Sequence, residues 1–174
     1  MQSAPHPELP KVWHWLSQVP DPEIPVISLT DLGIIRDVVW QGDTLVVTVT
    51  PTYSGCPATS VIAMDIEAAL RAQGVNKLRL ERQLSPPWTT DWITAEGRDK
   101  LRAYGITPPV EGTAADGRLA GRAARLAGLS NLTIACPRCG STATEKISQF
   151  GSTPCKASYR CTDCLEPFDY FKCI

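Results

Sequence analysis

The stretch TYSGCPATSVIAMDIEAAL, residues 52–70, joins a strand pattern to a helix pattern. Before it, residues 34–40 and 44–50 are β-branched runs separated by Gln41-Gly42-Asp43, which predicts a hairpin with a short glycine turn. After it, apolar residues recur on one face of a helix that we expect to end near Gln73. The chain therefore turns from sheet to helix at the run SGCP.

The segments on either side complete an α-β-β-α-β order. Residues 8–19 have apolar positions at helical spacing, and the proline-rich run VPDPEIP ends that helix. Residues 75–84 alternate between apolar and charged side chains, as a half-exposed strand does. Thr94 can cap a further helix over residues 95–104 that is closed by Gly105.

Composition limits the kinds of partner and the redox environment. The chain has 174 residues and a formal net charge of -1, so it lacks the strongly basic field that holds nucleic acid by its phosphates. It shows neither an apolar run of membrane-spanning length nor a secretory signal, which predicts a cytoplasmic location. In a reducing cytoplasm, the seven cysteines are expected to be metal ligands or reactive thiols.

Four cysteines near the C-terminus have the spacing of a zinc site. Cys136 and Cys139 in CPRCGS are two residues apart, Cys161 and Cys164 in CTDC repeat that spacing, and 21 residues separate the pairs. Each pair can present two sulfurs from one tight turn, and two turns complete a tetrahedron around zinc. Strand-like runs flank the second pair, so we predict a zinc ribbon in which the metal is structural.

The other two C-terminal cysteines allow several interpretations. If Cys161 lies opposite Pro167 in an antiparallel pair, then Cys155 lies opposite Cys173, roughly 20 Å from the zinc. Such a pair could ligate a second metal, accept a cluster transiently or form a reversible disulfide. Alternatively, both thiols are small buried apolar groups.

Cys56 stands alone at the corner before the helix. Pro57 suits the first helical turn, which predicts Cys56 at or next to the N-cap, where the helix dipole favours a thiolate. Such a thiolate suits metal ligation, sulfur transfer or covalent catalysis, whereas the alternative is an inert, covered thiol. Asp21 and Glu23 of the PDPEIP loop are candidate oxygen ligands beside it, or simply turn-forming residues. The two histidines lie near the N-terminus and complete no catalytic triad.

These motifs together resemble known families. DPEIPVISLTDLGIIRDV (21–38), TVTPTYSGCPATS (48–60) and PPWTTDW (86–92) are similar to the SufT-like iron-sulfur assembly domain. With CPRCGS and the final run FGSTPCKASYRCTDCLEPFDYFKCI (150–174), the chain resembles the D-subunit family of bacterial phenylacetyl-CoA epoxygenase systems.

The resemblance implies an α+β fold, with a small mixed sheet carrying helices and a C-terminal antiparallel zinc ribbon. We expect an assembly domain over residues 1–106, an Ala/Gly/Arg-rich linker over 107–131 and a zinc ribbon over 132–174. The implied role is non-catalytic: maturation of the oxygenase or its reductase subunit, together with iron-sulfur assembly proteins.

In that role the ribbon holds zinc, and a transient iron ion or iron-sulfur cluster is handled by Cys56 with Asp21 and Glu23. Cys155 and Cys173 would offer a second landing site. Two alternatives remain from the residues alone. The ribbon could bind nucleic acid through Arg138, Lys146, Lys156 and Arg160, against which the net charge argues, or the chain could be a thiol redox protein.

Overall fold

The computed structural model describes residues 6–53, 55–109 and 133–172. Contacts divide the chain into two compact units, Met1–Trp88 and Thr89–Ile174. Each unit has its own sheet, of three strands in the first and four in the second.

The predicted hairpin forms the first part of the three-stranded sheet. Strands β1 (Ile35–Gln41) and β2 (Thr44–Val49) pair antiparallel, and Gln41 lies opposite Thr44. Two residues therefore make the turn, and Gly42 adopts φ 57°, a left-handed conformation that suits glycine.

Helix α2 carries the chain from β2 to a parallel strand. It spans Thr59–Ala72, and Gly74 ends it with φ 87° before β3 (Leu78–Arg82) pairs parallel to β2. The strand order β1-β2-β3 thus gives the small mixed sheet that was predicted.

Helix α1 completes the first unit. It spans Leu9–Leu16, packs against α2 and β1, and buries Val12 and Leu16. The core of this unit also takes buried side chains from α2, from β2 and from the loop before β1, among them Ile62, Ile66, Leu70, Leu45, Val47, Ile27 and Leu29.

The second unit opens with a 3-10 helix, Thr90–Trp92, and helix α3, Ala95–Tyr104. The Thr94 hydroxyl oxygen accepts a hydrogen bond from the Gly97 amide (2.9 Å), and Gly105 ends the helix with φ 91°. The start, the end and both caps of α3 are those predicted from the sequence, because each depends on residues within two turns of chain.

Strands β5 (Thr144–Ser148), β6 (Lys156–Cys161) and β7 (Pro167–Phe171) form the antiparallel ribbon. A two-residue strand that the sequence did not indicate, β4 (Ile106–Thr107), adds to it in parallel beside β7. The sheet order is β4-β7-β6-β5, so β5 lies at an edge.

The register expected between β6 and β7 is wrong by one residue. Arg160, not Cys161, lies opposite Pro167. Cys155 consequently lies next to Lys172, whose amide donates to the Cys155 carbonyl (2.9 Å), rather than opposite Cys173, which falls outside the described residues. The geometric reason for expecting those two thiols to meet is thereby removed.

The division at residue 106 stays a prediction, whereas the compact units divide between Trp88 and Thr89. Contacts within the second unit explain the difference. Ile106 and Thr107 pair with β7, and the buried Arg98 donates hydrogen bonds to the carbonyls of Thr90 (2.7 Å) and Pro109 (2.5 Å). The segment predicted as a linker, 107–131, lies outside the described residues from 110 onward, and its first residue belongs to β4.

The fold is therefore α+β, with helices on a small mixed sheet followed by an antiparallel ribbon, which confirms the predicted class. Among the described helices, none combines the length and apolarity that a bilayer crossing requires.

Candidate functional site

Two equivalent turns present the four C-terminal cysteines that the sequence singled out. In the first, the Cys136 carbonyl accepts from the Gly140 amide (2.9 Å), and Gly140 has φ 74°. In the second, Leu165 stands at the same offset from Cys161 and has φ 64°. A left-handed residue four positions after the leading cysteine thus closes each turn, easily for glycine and with strain for leucine.

Polar contacts hold the two turns against each other. Arg138 of the first forms a 2.7 Å salt bridge with Glu166 of the second. The Ser141 hydroxyl donates to the Asp163 carboxylate (2.5 Å). These contacts join the residues around the two pairs, so the four thiols face one another.

The four sulfur atoms lie within 4.8 Å of one another, with Cys136 Sγ 3.7 Å from Cys164 Sγ and Cys139 Sγ 3.6 Å from Cys161 Sγ. A disulfide bond is about 2.05 Å long, so these thiols are not bonded in pairs. Four sulfurs at about 2.3 Å from one zinc ion would be about 3.8 Å apart. The arrangement therefore fits a tetrahedral zinc ion held by Cys136, Cys139, Cys161 and Cys164.

The local electrostatics also suit a bound cation. The Cys164 amide donates to the Cys161 sulfur and is the main reason that the Cys161 pKa falls from 9.0 to about 7. The Ser141 amide lowers the Cys139 pKa, but Cys164 and the other neighbouring thiols outweigh it and raise that pKa to about 12. Because several thiolates cannot ionise together at this distance without a compensating charge, the cluster is suited to a divalent cation.

The cluster forms part of a small apolar core. Cys136 and Cys161 are buried together with Ile134, Phe168 and Tyr170, whereas Cys139 and Cys164 are exposed. Tyr159 packs against this core, with its ring centroid 5.8 Å from those of both Phe168 and Tyr170. Two of the five buried core residues, Cys136 and Cys161, belong to the four-cysteine cluster, so the core and the candidate metal site share residues.

Cys155 lies away from this cluster. Its side chain is 4% exposed, and its sulfur lies 3.0 Å from the Thr153 hydroxyl oxygen. Burial fits the interpretation of Cys155 as a small apolar group. The second landing site suggested for Cys155 and Cys173 stays a prediction, since Cys173 is outside the described residues.

Cys56 is at the entry to α2 and lies two residues before its N-cap, whereas the sequence predicted it at or next to the N-cap. The helix begins at Thr59 with Ala58 as its N-cap. The Thr59 hydroxyl (2.8 Å) and amide (3.3 Å) both donate to the Cys56 carbonyl, which closes a turn before the helix starts. Pro57 therefore precedes the helix. The Cys56 thiol is partly exposed, in contrast to Cys155.

Thr50 is a feature of this corner that sequence analysis missed. It follows β2, is 1% exposed, and its hydroxyl has no hydrogen-bond partner among the described residues. Its amide donates to the Ile34 carbonyl (2.8 Å). Threonine is common in strands, so no pattern in the chain distinguishes a buried hydroxyl from an exposed one.

Asp21 organises the acidic loop. Its side chain is 6% exposed, and its Oδ1 atom accepts from the amides of Glu23 (2.9 Å) and Ile24 (2.8 Å). These contacts are those of a turn-forming aspartate. Glu23 on the same loop is half-buried.

A second turn-forming set, also missed from the sequence, follows the loop. Asp31 is buried, its amide donates to the Ser28 hydroxyl oxygen (3.1 Å), and its carboxylate accepts from the Ser28 amide (3.3 Å). The spacing of Ser28 and Asp31 was the available signal, because short polar side chains three apart commonly close turns.

Among the described residues, one set of three or more Cys, His, Asp or Glu side chains is close enough to share a metal ion, and it is the four-cysteine cluster. Asp21, Glu23 and Cys56 are not assembled into such a set. Joint ligation by these three residues therefore stays a prediction.

The basic residues proposed for nucleic acid are mostly paired. Arg138 pairs with Glu166, Arg160 with Glu145, and the buried Lys156 with Asp169 (3.6 Å). Of the four, Lys146 is exposed and has a glutamine oxygen, Gln149 Oε1, as its hydrogen-bond partner (3.1 Å). Paired cations contribute little to phosphate binding, so the charge distribution weakens this alternative.

Two family models match the chain. The model described as "Iron-sulfur cluster assembly protein" matches residues 10–77, and the model described as "PaaD zinc beta ribbon domain" matches residues 122–172. The matches cover the Cys56 corner and the four-cysteine cluster respectively.

One relative matches nearly the whole chain, and two others match about half of it. An Escherichia coli (strain K12) protein, named as the D subunit of a "Putative 1,2-phenylacetyl-CoA epoxidase", is 48% identical over 97% of this chain and 94% of its own length. An "Fe-S protein maturation auxiliary factor" of Porphyromonas gingivalis is 36% identical over 49% of this chain and 83% of its own length. A Bacillus subtilis protein with the same description is 36% identical over 51% of this chain and 80% of its own length.

The relatives are named as a subunit or as auxiliary factors, in keeping with a chain that is accessory rather than catalytic. The family models likewise describe an assembly domain and a zinc ribbon. The chain belongs to the D-subunit family of 1,2-phenylacetyl-CoA epoxidases, which confirms the resemblance drawn from its motifs.

Proposed function

We propose that this protein is a non-catalytic maturation factor for the multicomponent phenylacetyl-CoA epoxidase in aerobic phenylacetate degradation. In this proposal the zinc ribbon is a permanent structural part. The first unit delivers an iron ion or iron-sulfur cluster to an oxygenase or reductase subunit, acting in the cytoplasm together with iron-sulfur assembly proteins.

The contrast between the two kinds of cysteine carries the proposal. The four C-terminal sulfurs form a closed set with a ligand for each corner of a tetrahedron. A zinc site with four protein ligands leaves no position for a substrate, which is the pattern of structural zinc. Cys56 is a solitary, partly exposed thiol at the start of α2, so it can offer one exchangeable bond.

The transfer requires ligand exchange and no net electron transfer. The Cys56 thiol loses its proton to solvent as its sulfur binds iron, and a cysteine or carboxylate of the client later replaces it as Cys56 takes up a proton again. A single thiolate ligand favours release, because a donor that encloses its cargo with several ligands retains it. Glu23, on the loop that Asp21 organises, is the candidate oxygen ligand for the cargo.

The test is co-expression of the epoxidase subunits with the full-length protein. We expect Cys56→Ser to lower the iron and acid-labile sulfide content of the purified epoxidase severalfold while the zinc content of the variant stays at one ion per chain. Ser60→Ala is the matched control, since Ser60 is exposed on the same helix and should leave client iron unchanged. Full client occupancy with Cys56→Ser would refute the transfer role.

A further inference from the structure

The connection from β5 to β6 carries large apolar side chains in solvent. Every residue from 145 to 150 is exposed, and Ile147 (60%) and Phe150 (64%) are among the most exposed large apolar residues of the second unit. Ile147 also occupies a bulge, where the β5–β6 register shifts between Lys146 and Ser148. Bulges often re-aim side chains at sheet edges, and β5 is an edge strand.

These side chains lie outside the buried part of the ribbon. Neither Ile147 nor Phe150 belongs to the cluster of Ile134, Cys136, Cys161, Phe168 and Tyr170, and both are exposed. An isolated exposed apolar residue needs no explanation, but an aliphatic residue and an aromatic residue together on an edge hairpin risk aggregation unless a partner covers them.

Two lysines lie beside Gln149 and Phe150. Lys172 Nζ lies 4.4 Å from the Phe150 ring centroid and donates to the Gln149 carbonyl (2.9 Å). Lys146 Nζ donates to the Gln149 side chain (3.1 Å). Burial chiefly lowers the Lys172 pKa, an electrostatic interaction with Cys155 opposes that change, and the nearby positive charge of Lys146 adds to it. We call Lys146, Ile147, Phe150 and Lys172 the hairpin tip.

The charges of the hairpin tip are not balanced locally. Residues 146–155 contain no Asp or Glu. Glu145, next to this segment, pairs with Arg160, and Asp169, which accepts a hydrogen bond from the Ser152 hydroxyl (3.4 Å), pairs with Lys156. In the described part of the chain, neither Lys146 nor Lys172 forms a salt bridge. The tip therefore presents exposed apolar side chains beside two lysines that form no salt bridge among the described residues.

We propose that the hairpin tip docks this protein onto an epoxidase subunit, at an apolar pocket bordered by carboxylates. Phe150 and Ile147 enter the pocket, and Lys146 and Lys172 face the acidic groups. Aromatic anchors supply binding energy and the charges direct orientation and association rate. This inference rests on the proposed function for the identity of the partner.

Charge and composition disfavour other occupants. A second copy of the chain meeting the tip symmetrically would bring lysines against lysines. Two lysines would also give nucleic acid few phosphate contacts, and an aliphatic side chain in the centre of the surface adds none.

The experiment measures the affinity of the purified, zinc-loaded chain for each purified epoxidase subunit by biolayer interferometry. For one subunit, we expect Phe150→Ala to weaken binding about 30-fold, the effect of losing an interface hot spot. Lys146→Glu/Lys172→Glu should weaken it by about 10-fold or more at low salt and less at high salt. Tyr104→Ala, at an exposed aromatic residue outside the tip, is the matched control and should bind within twofold of the wild type.

Several outcomes would overturn the proposal. The first is that both tip variants bind the subunit as tightly as the wild type does. The second is that Tyr104→Ala loses as much affinity as the tip variants. The third is that the wild type binds a short oligonucleotide and the charge reversal abolishes that binding but leaves subunit binding unchanged. The proposed function fails separately, if Cys56→Ser leaves client iron unchanged. Weakened binding by Phe150→Ala alongside that result would retain the docking surface and reject metal transfer.

Discussion

Removal of zinc should unfold the ribbon while the first unit remains folded. The apolar core around the cluster has three side chains that are not ligands, Ile134, Phe168 and Tyr170. Each contributes about 1.5–3 kcal/mol on full burial. A structural zinc ion bound by four thiolates contributes about 10–16 kcal/mol at neutral pH, which is as large as the whole stability of a typical domain.

The assay is an amide nitrogen–proton NMR spectrum of the full-length protein before and after a strong chelator, in the presence of a reductant. We expect the β5–β7 cross-peaks to collapse to random-coil shifts and to return when zinc is restored, and the β1–β3 peaks to stay dispersed. Cys161→Ser should give the zinc-free spectrum directly, whereas Cys155→Ser should keep both the metal and the dispersed peaks. Dispersed β5–β7 signals from a metal-free sample would refute the reasoning.

Three further predictions concern stability, each measured by chemical denaturation of the zinc-loaded chain. Leu165→Gly should raise the free energy of unfolding by about 1 kcal/mol, because Leu165 has φ 64° and is 68% exposed, so it is strained and gains little from burial; a loss would contradict this. Thr50→Val should be neutral or stabilise by about 1 kcal/mol, because it removes a buried hydroxyl without a partner among the described residues, and a loss above that size would indicate a hidden partner. Arg98→Lys should cost about 2 kcal/mol, since a lysine lacks the planar fork whose two nitrogens each reach one carbonyl, and an unchanged stability would show that the bridge is unimportant.

Features set by nearby residues could be predicted from the sequence. The two CxxC turns, the Gly42 hairpin and both ends of α3 depend on short-range spacing and on glycine or threonine at fixed offsets. The four-cysteine cluster could be inferred for the same reason, because each pair is preformed by one turn and only the approach of two turns is a tertiary event.

Features that depend on contacts between distant residues could not be predicted from the sequence. The β4–β7 pairing involves a strand of two residues, which is too short to leave a pattern in the sequence. The β6–β7 register differs by one because the turn geometry at the second cysteine pair fixes it, and no rule of side-chain alternation separates adjacent registers there. In the sequence, Arg98 cannot be distinguished from an exposed helical arginine. It is buried in the structure, where it donates to the carbonyls of Thr90 and Pro109.

The start of α2 near Cys56 could be predicted only approximately from the sequence. A proline after a cysteine suggested a helix beginning at Pro57, but the Thr59 side chain binds the Cys56 carbonyl and delays the helix. From the sequence alone, the helix could begin at Pro57 or at Thr59. The hydrogen bond from the Thr59 hydroxyl to the Cys56 carbonyl accompanies a start at Thr59.

The short strand β4 has a consequence for how the chain can be divided. Thr107 pairs with Tyr170, and its hydroxyl donates to the Ala135 carbonyl (2.9 Å), so residues that precede and follow the segment 110–132 lie next to each other. A protease cut anywhere within residues 110–132 would then yield two fragments that stay associated, with the amino-terminal fragment contributing a strand to the carboxy-terminal one. A recombinant amino-terminal half that stops at residue 88 instead of 106 avoids an orphaned strand and is the better starting point for isolated study.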